Sequence, residues 1–155
     1  MQSVLVLAGW VVLCAGGGAV VGQLTNGGDS AWYPSLNKPP WNPPSWVFWP
    51  VWTTLYVMMG IAAWRVWRRG GWRVQRAALS LFLAQLAINW SWSFLFLGAQ
   101  APGAAFVDLL TLWVAIILTW RTFAAIDDTA GWLLTPYLAW VTFAATLNGA
   151  IVWLN

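Results

Sequence analysis

The 155-residue sequence has no histidine, a single cysteine and only 7% charged residues. Each shortage removes a class of chemistry. Without histidine there is no Ser-His-Asp triad, no His-ligated haem and no His-held zinc. The lone Cys14 excludes an internal disulfide. The few aspartates do not group with it at metal-ligand spacing, so no metal site is expected. No glycine-rich phosphate loop lies between a strand and a helix. Conventional hydrolase, kinase and dehydrogenase chemistry therefore has no residues to work with.

What is present is apolar surface. The 61% hydrophobic content is too high for a soluble globule of this length. The charges are also clustered: none precedes Asp29, none lies between Lys38 and Arg65 or between Arg76 and Asp108, and none follows Asp128. Such gaps hold helices of roughly 20 apolar residues, the length that crosses a bilayer. The pattern predicts five of them, at 3–23, 45–67, 77–97, 104–123 and 131–154. The expected fold is an all-α, multi-pass integral membrane protein, a single five-helix domain over residues 1–155, with short later links that make successive helices antiparallel neighbours. Ser45 is expected to cap the second helix, and Pro136 to fall early in the fifth.

The net charge of +3 does not point to nucleic acid, because Arg65, Arg68, Arg69, Arg73 and Arg76 all fall at the turn between the second and third helices. Placed there, they orient the chain with that turn on the cytoplasmic side and can touch anionic lipid head groups. The first span lacks a basic n-region and is longer than a secretory h-region, so it is expected to be a retained helix.

Between the first two spans runs Trp32-Tyr33-Pro34-Ser35-Leu36-Asn37-Lys38-Pro39-Pro40-Trp41-Asn42-Pro43-Pro44-Ser45-Trp46. Proline fixes φ and drives the preceding residue towards extended backbone. This segment is expected to be non-helical yet stiff, a lid rather than a connector. Lys38 can snorkel to the interface or meet an anionic group of a ligand entering beneath the lid.

Three helical stripes face the expected interior. Trp46, Trp49, Trp52 and Tyr56 recur at helical spacing on the second helix; Gln85, Asn89, Trp92 and Phe96 on the third; Tyr137, Trp140, Ala144, Leu147 and Asn148 on the fifth. Amides are costly in hydrocarbon unless partnered, so they should face inward. Large π-faces with a few amides suit a flat, mostly apolar ligand carrying a few polar atoms. Helix packing alone accounts equally well for Trp52, Trp92 and Trp140, and Asn89 can serve as an interhelical hydrogen bond. Trp64, Trp67, Trp72, Trp120, Trp132 and Trp153 sit near span ends and read as interfacial anchors. Asp108, the one acid inside a span, reads as a group near a helix N-terminus rather than a proton relay.

Small residues form two further runs. Gly16, Gly17, Gly18 and Gly22 lie on the first helix, and Ser80, Ala84, Ala87 and Ser91 on one face of the third. Packing inside the bundle is the expected use of both, with homodimerisation through the third helix as the alternative.

The motifs Trp32-Tyr33, Leu36, Lys38-Pro39, Trp41, Pro43-Pro44 and Trp46-Val47-Phe48 resemble the first-loop signature of the TspO/MBR family, the tryptophan-rich sensory proteins related to the mitochondrial translocator protein, or peripheral-type benzodiazepine receptor. Trp52, Tyr56, Gln85, Asn89, Trp90-Ser91, Pro136-Tyr137-Leu138-Ala139-Trp140, Phe143-Ala144 and Leu147-Asn148 continue the likeness in order. The resemblance implies a five-helix, often dimeric bundle that binds protoporphyrin IX-like tetrapyrroles or other planar hydrophobic molecules under its first loop. Carried over by motif, the ligand-binding positions are Tyr33, Trp52, Tyr56, Asn89, Trp92, Trp140, Ala144 and Leu147. The implied role is a porphyrin receptor or sensor, with porphyrin as ligand and no cofactor required. A light- and oxygen-dependent porphyrin-degrading enzyme, with Trp52 and Trp140 as candidate catalytic residues, is the alternative, and facilitated transport is another. A sterol site is less expected, since no Lys or Arg follows Arg121.

Overall fold

The computed structural model describes residues 2–25 and 31–155, and every regular element among them is helical. Five helices are long and apolar enough to span a membrane: α1 (Gln2–Leu24), α2 (Ser45–Trp67), α3 (Gly71–Gly98), α4 (Pro102–Ile126) and α5 (Asp128–Leu154). At a rise of ~1.5 Å per residue, each exceeds the ~30 Å of a hydrocarbon core. The chain is a multi-pass integral membrane protein. Around the bundle the helices run α1, α2, α5, α4, α3, and the second half of α1 closes the ring against α3. α2 packs more extensively on α5 than on its sequence neighbour α3.

Helix ends depart from expectation for local reasons. α3 starts at Gly71, because Gly70 and Gly71 turn the chain at φ 140° and 68°, values open to glycine. Its first turn is set off by a kink at Gln75 (φ −100°, ψ 20°), so the straight part of α3 begins close to the expected Ala77. α4 and α5 are separated by Asp127 alone, in extended backbone. Because α5 begins at Asp128, Pro136 lies in the helix interior and not in the first turn. Its missing N–H leaves the Trp132 carbonyl without its usual partner. Ser45 opens a short 3-10 turn rather than capping it, and the preceding Pro44 has no side chain able to cap.

The segment expected to be free of helix contains one helical turn, Trp32–Ser35. Pro34 is tolerated there because the first N–H groups of a helix have no partner in any case. The chain leaves it extended at Leu36 (ψ 143°). Lys38 does not point away from the protein: its ammonium donates to the carbonyls of Pro34 and Leu36, both at 3.1 Å, and lies 4.8 Å from the Tyr33 ring centroid. The segment is tied to the end of α5 by Asn37 and Asn155. The Asn37 N–H donates to Asn155 Oδ1 at 2.9 Å, and Asn155 Nδ2 returns a bond to the Asn37 carbonyl at 3.0 Å.

The core is built from large side chains of α2–α5, including Met59, Leu79, Phe82, Leu112, Phe123 and Leu134, with Phe82 and Phe123 stacked at 5.6 Å. Because Leu79, Phe82 and Leu86 take the inner face of α3, Ser80, Ala84 and Ala87 point out of the bundle. Except at half-buried Ser91, whose hydroxyl donates to Asp108 Oδ1 on α4 at 2.9 Å, the small-residue stripe of α3 is therefore not used for packing within the bundle. That of α1 is: a Cβ on Gly17 would meet the Trp90 ring, and one on Gly18 the Tyr56 ring, each at 2.3 Å. Trp72, Trp132 and Trp153 are exposed near helix ends, as anchors should be. Trp64 and Trp120 are half-buried and donate across helices, to the Ser3 carbonyl at 2.9 Å and to Thr135 Oγ1 at 3.3 Å.

One ion-pair cluster fastens the arginine end of the bundle. Arg65 forks onto Asp127 at 2.8 and 3.1 Å, and Arg69 reaches Oδ2 through Nη2 at 2.7 Å. Asp127 also caps α5 by accepting from the Ala130 N–H at 3.0 Å. The Arg65 guanidinium, then Arg69 and the Ala130 N–H, hold its carboxyl well below the usual carboxylate range, against the opposing effect of burial. Stability from a depressed carboxyl is fully present above the unfolded value of about 4 and is lost as pH falls through the folded value. Asp127→Asn keeps the cap but breaks the ion pairs, so thermal melts in detergent at neutral pH should report a loss of roughly 3 kcal/mol. Asp127→Ala should lose about 1 kcal/mol more. The gap between wild type and Asp127→Asn should narrow on acidification below pH ~4; a constant gap would show that the carboxylate charge is not what Asp127 contributes.

Candidate ligand-binding site

Midway through the bundle, the interior is organised by four polar side chains. Tyr56 on α2 donates its O–H to Asn89 Oδ1 on α3 at 2.6 Å. Asn89 Nδ2 donates to the Tyr137 hydroxyl on α5 at 3.1 Å, and that hydroxyl donates to Gln85 Oε1 at 2.9 Å. Gln85, Asn89 and Tyr137 are almost fully buried. An amide with no water nearby keeps its place only if partnered, so this relay fixes the rotation of three helices about their axes. Gly18 makes room for it by letting the Tyr56 ring lie against the α1 backbone.

Of the aromatic residues, Trp52 lies against that relay, and Trp92 and Trp140 pack on the same core. Trp52 lies 5.5 Å from Tyr56 and meets Tyr137 edge-on at 6.3 Å. Trp140 contacts Phe48 at 5.9 Å and Phe143 at 5.5 Å. Trp92 stacks on Phe96 at 4.9 Å, and its indole donates to Asn148 Oδ1 at 3.0 Å. Asn148 in turn donates to the Pro102 carbonyl at 2.9 Å, tying α5 to the start of α4.

Of the eight positions singled out in the sequence, Trp52, Tyr56, Trp140 and Ala144 pack on the main core, Asn89 sits in the relay beside them, and Tyr33 and Leu147 belong to a second cluster around Phe96 and Ile151. Trp92 joins the two clusters. Tyr33 enters from the connecting segment, 6.1 Å from Phe96, and donates to Asn42 Oδ1 at 3.1 Å. Burial pushes its phenol pKa up, so it remains a neutral donor. Trp46 and Trp49, expected on the same inward stripe as Trp52, are 74% and 76% exposed and face away from the bundle. At about 100° per residue, steps of three residues each drift about 60° around the axis, which carries Trp49 and then Trp46 off the face that Trp52 presents.

Sequence reasoning left Gln85, Tyr137 and Asn148 out of the site although they lay on its stripes. Their signal was a polar group at an otherwise apolar helical spacing. Gly18 had only the glycine run of α1 to mark it.

The rings are in contact with one another, and a groove of about 290 Å³ between α2 and α5, lined by Pro50, Val51, Thr54, Leu55, Met58 and Pro136, includes none of the eight positions. Three buried donors in this interior lack partners: Gln85 Nε2, Trp90 Nε1 and Trp140 Nε1. An unsatisfied buried donor costs about 1–3 kcal/mol, which a guest bearing an acceptor would recover. Asp108 lies apart from this region's relay. Its Oδ1 is 2.9 Å from Ser91 Oγ.

The chain is similar in sequence to known proteins. The TspO/MBR family model matches residues 10–154. The chain is 42% identical to the tryptophan-rich protein TspO of Chlorobaculum tepidum, over 99% of this chain and 98% of that protein. It is 42% identical to the human translocator protein, over 84% of this chain and 79% of the other. It is 41% identical to the tryptophan-rich sensory protein of Cereibacter sphaeroides, over 80% and 77% of the two chains. With its five spans, its aromatic interior and a family match across nearly its full length, the chain belongs to the TspO/MBR family.

Proposed function

We propose that this protein is a membrane receptor or sensor that takes a planar tetrapyrrole of the protoporphyrin IX type between the indoles of α2, α3 and α5. The observation that carries the reading is that Trp52 and Tyr56 meet at the Asn89 relay while Trp92 and Trp140 pack on the same core, with the Gln85 and Trp140 N–H donors unused. Stacked rings supply non-directional affinity, and the two donors suit acceptor atoms on the guest. With no histidine in the chain to ligate a metal, a metal-free macrocycle held by its faces fits best. The name of the Cereibacter sphaeroides relative, a sensory protein, supports the same role.

Because the rings touch one another, the guest must part them. The 31–44 segment acts as the lid for that step, closed by the Asn37–Asn155 pairing. The exposed Ser80, Ala84 and Ala87 face of α3 gives a second copy a smooth surface for close approach.

Protoporphyrin titrated into detergent-solubilised protein should quench tryptophan fluorescence. Trp140→Ala should raise the midpoint roughly tenfold, the loss of one well-packed ring and its burial. Unchanged curves for both Trp140→Ala and Trp52→Ala would remove the pocket from these helices. Asn155→Ala, which opens the pairing without touching the rings, should speed porphyrin association in stopped flow; an unaltered on-rate would show that the segment is not a lid.

A second reading rests on the ring path itself. Trp52 is in van der Waals reach of Tyr56 and within 6.3 Å of Tyr137, and the two phenols are joined through Asn89. A light-excited porphyrin beside Trp52 can exchange an electron with its indole, and dioxygen is the oxidant that would then degrade the macrocycle. Bound porphyrin under illumination should decay faster than porphyrin in detergent alone, with the excess lost in Trp52→Phe and Trp140→Phe; equal decay in all samples rejects turnover.

A further inference from the structure

At the end of the bundle remote from the 31–44 segment, Arg65, Arg68, Arg69 and Asp127 line a polar cavity of about 210 Å³. Asp127 is saturated within it. Oδ1 accepts from Arg65 Nε and the Ala130 N–H, and Oδ2 accepts from Arg65 Nη2 and from Arg69 Nε and Nη2. The carboxylate therefore has no capacity for another donor. Arg65 and Arg69 each keep Nη1 outside those bonds. Arg68 makes no side-chain hydrogen bond among the described residues; its guanidinium lies 4.7 Å from the Trp64 ring centroid. That ring is itself held, since its indole N–H donates to the Ser3 carbonyl at 2.9 Å.

Two supports thus hold three guanidiniums around one opening. Asp127 draws Arg65 and Arg69 together against their mutual repulsion, and Trp64 carries Arg68. Three cations against one anion leave a surplus of two positive charges there. A structural ion pair needs one arginine, or two; a third, stacked on an anchored indole with its donors free, is charge beyond what the fold requires. Guanidinium forks match the oxygens of a phosphate group, and a phosphate monoester carries about −1.5 to −2 at neutral pH. Trp67, half-buried, and Trp72, exposed, flank the turn at the depth where aromatic side chains meet lipid head groups.

We propose that this cavity is a binding site for a phosphate monoester dianion, with Arg68 as its principal donor and Asp127 as the group that positions Arg65 and Arg69. A phosphatidic acid head group and free inorganic phosphate share that chemistry. The site is independent of the porphyrin reading, being at the opposite end of α2.

The test uses the full chain in phosphatidylcholine nanodiscs doped with either phosphatidic acid or phosphatidylglycerol, with retained lipid counted by native mass spectrometry. A parallel arm titrates inorganic phosphate into undoped nanodiscs by calorimetry. Arg68→Gln is compared with Arg121→Gln, an exposed arginine of α4 outside the cavity; both remove one positive charge, and Arg68→Gln leaves the Asp127 cluster intact. Wild type should retain phosphatidic acid over the monoanionic phosphatidylglycerol. Arg68→Gln should reduce that retention, or the phosphate affinity, roughly tenfold, with Arg121→Gln unchanged. Selective retention of phosphatidic acid without phosphate binding supports the site with lipid as its source, and phosphate binding lost in Arg68→Gln supports it with a soluble source. Equal losses in the two variants, or a wild type that neither distinguishes the lipids nor binds phosphate, would overturn the proposal.

Discussion

A polar relay in a hydrocarbon setting sets the terms for the rest of this bundle. Tyr56, Asn89, Tyr137 and Gln85 cannot be left facing lipid, where each unpaired group would cost several kcal/mol of order. Once they meet, α2, α3 and α5 have no freedom to rotate. Apolar packing between membrane helices is nearly indifferent to which face is presented, because lipid tails are as apolar as leucine. Directional bonds between a few amides and phenols remove that indifference. They decide that Trp52, Trp92 and Trp140 turn inward, and that Ser80, Ala84 and Ala87 turn out.

The two ends of the bundle are closed by different means. At one end a single buried carboxylate joins the start of α5 to two arginines of α2 and its following turn. At the other, the 31–44 segment is held by its own residues: prolines restrict the backbone, Lys38 staples two carbonyls, and Asn37 pairs with Asn155. The first closure is ionic and resists opening at neutral pH. The second consists of a few neutral hydrogen bonds at an exposed site, worth about 1 kcal/mol each, and is the weaker of the two. An interior guest would meet less resistance from that side.

The helices were legible because charge gaps of bilayer length admit no other element in lipid. The bounds of α2 could be read directly, while α3 and α5 began earlier than expected, since arginines and aspartates at a membrane surface belong equally well to a helix end or a turn. The inward faces of Asn89 and Gln85 followed from desolvation. The direction of Trp46 and Trp49 did not: spacings of three drift about 60° per step around a helix of about 3.6 residues per turn, so a run of threes leaves the inner face. Pro34 misled in the same way, because its prohibition applies to helix interiors and not to a first turn.

By itself the amino-acid sequence determined five spans, an aromatic and histidine-free interior, and the family likeness carried by its first loop, because composition and period are local properties of the chain. Only the tertiary structure decided which polar groups pair, that one aspartate answers two arginines, and which tryptophans look at each other rather than at lipid. Those outcomes depend on distances between residues such as 65 and 127, or 37 and 155, that lie far apart along the chain. No local pattern encodes the rotation and axial offset of one packed helix relative to another.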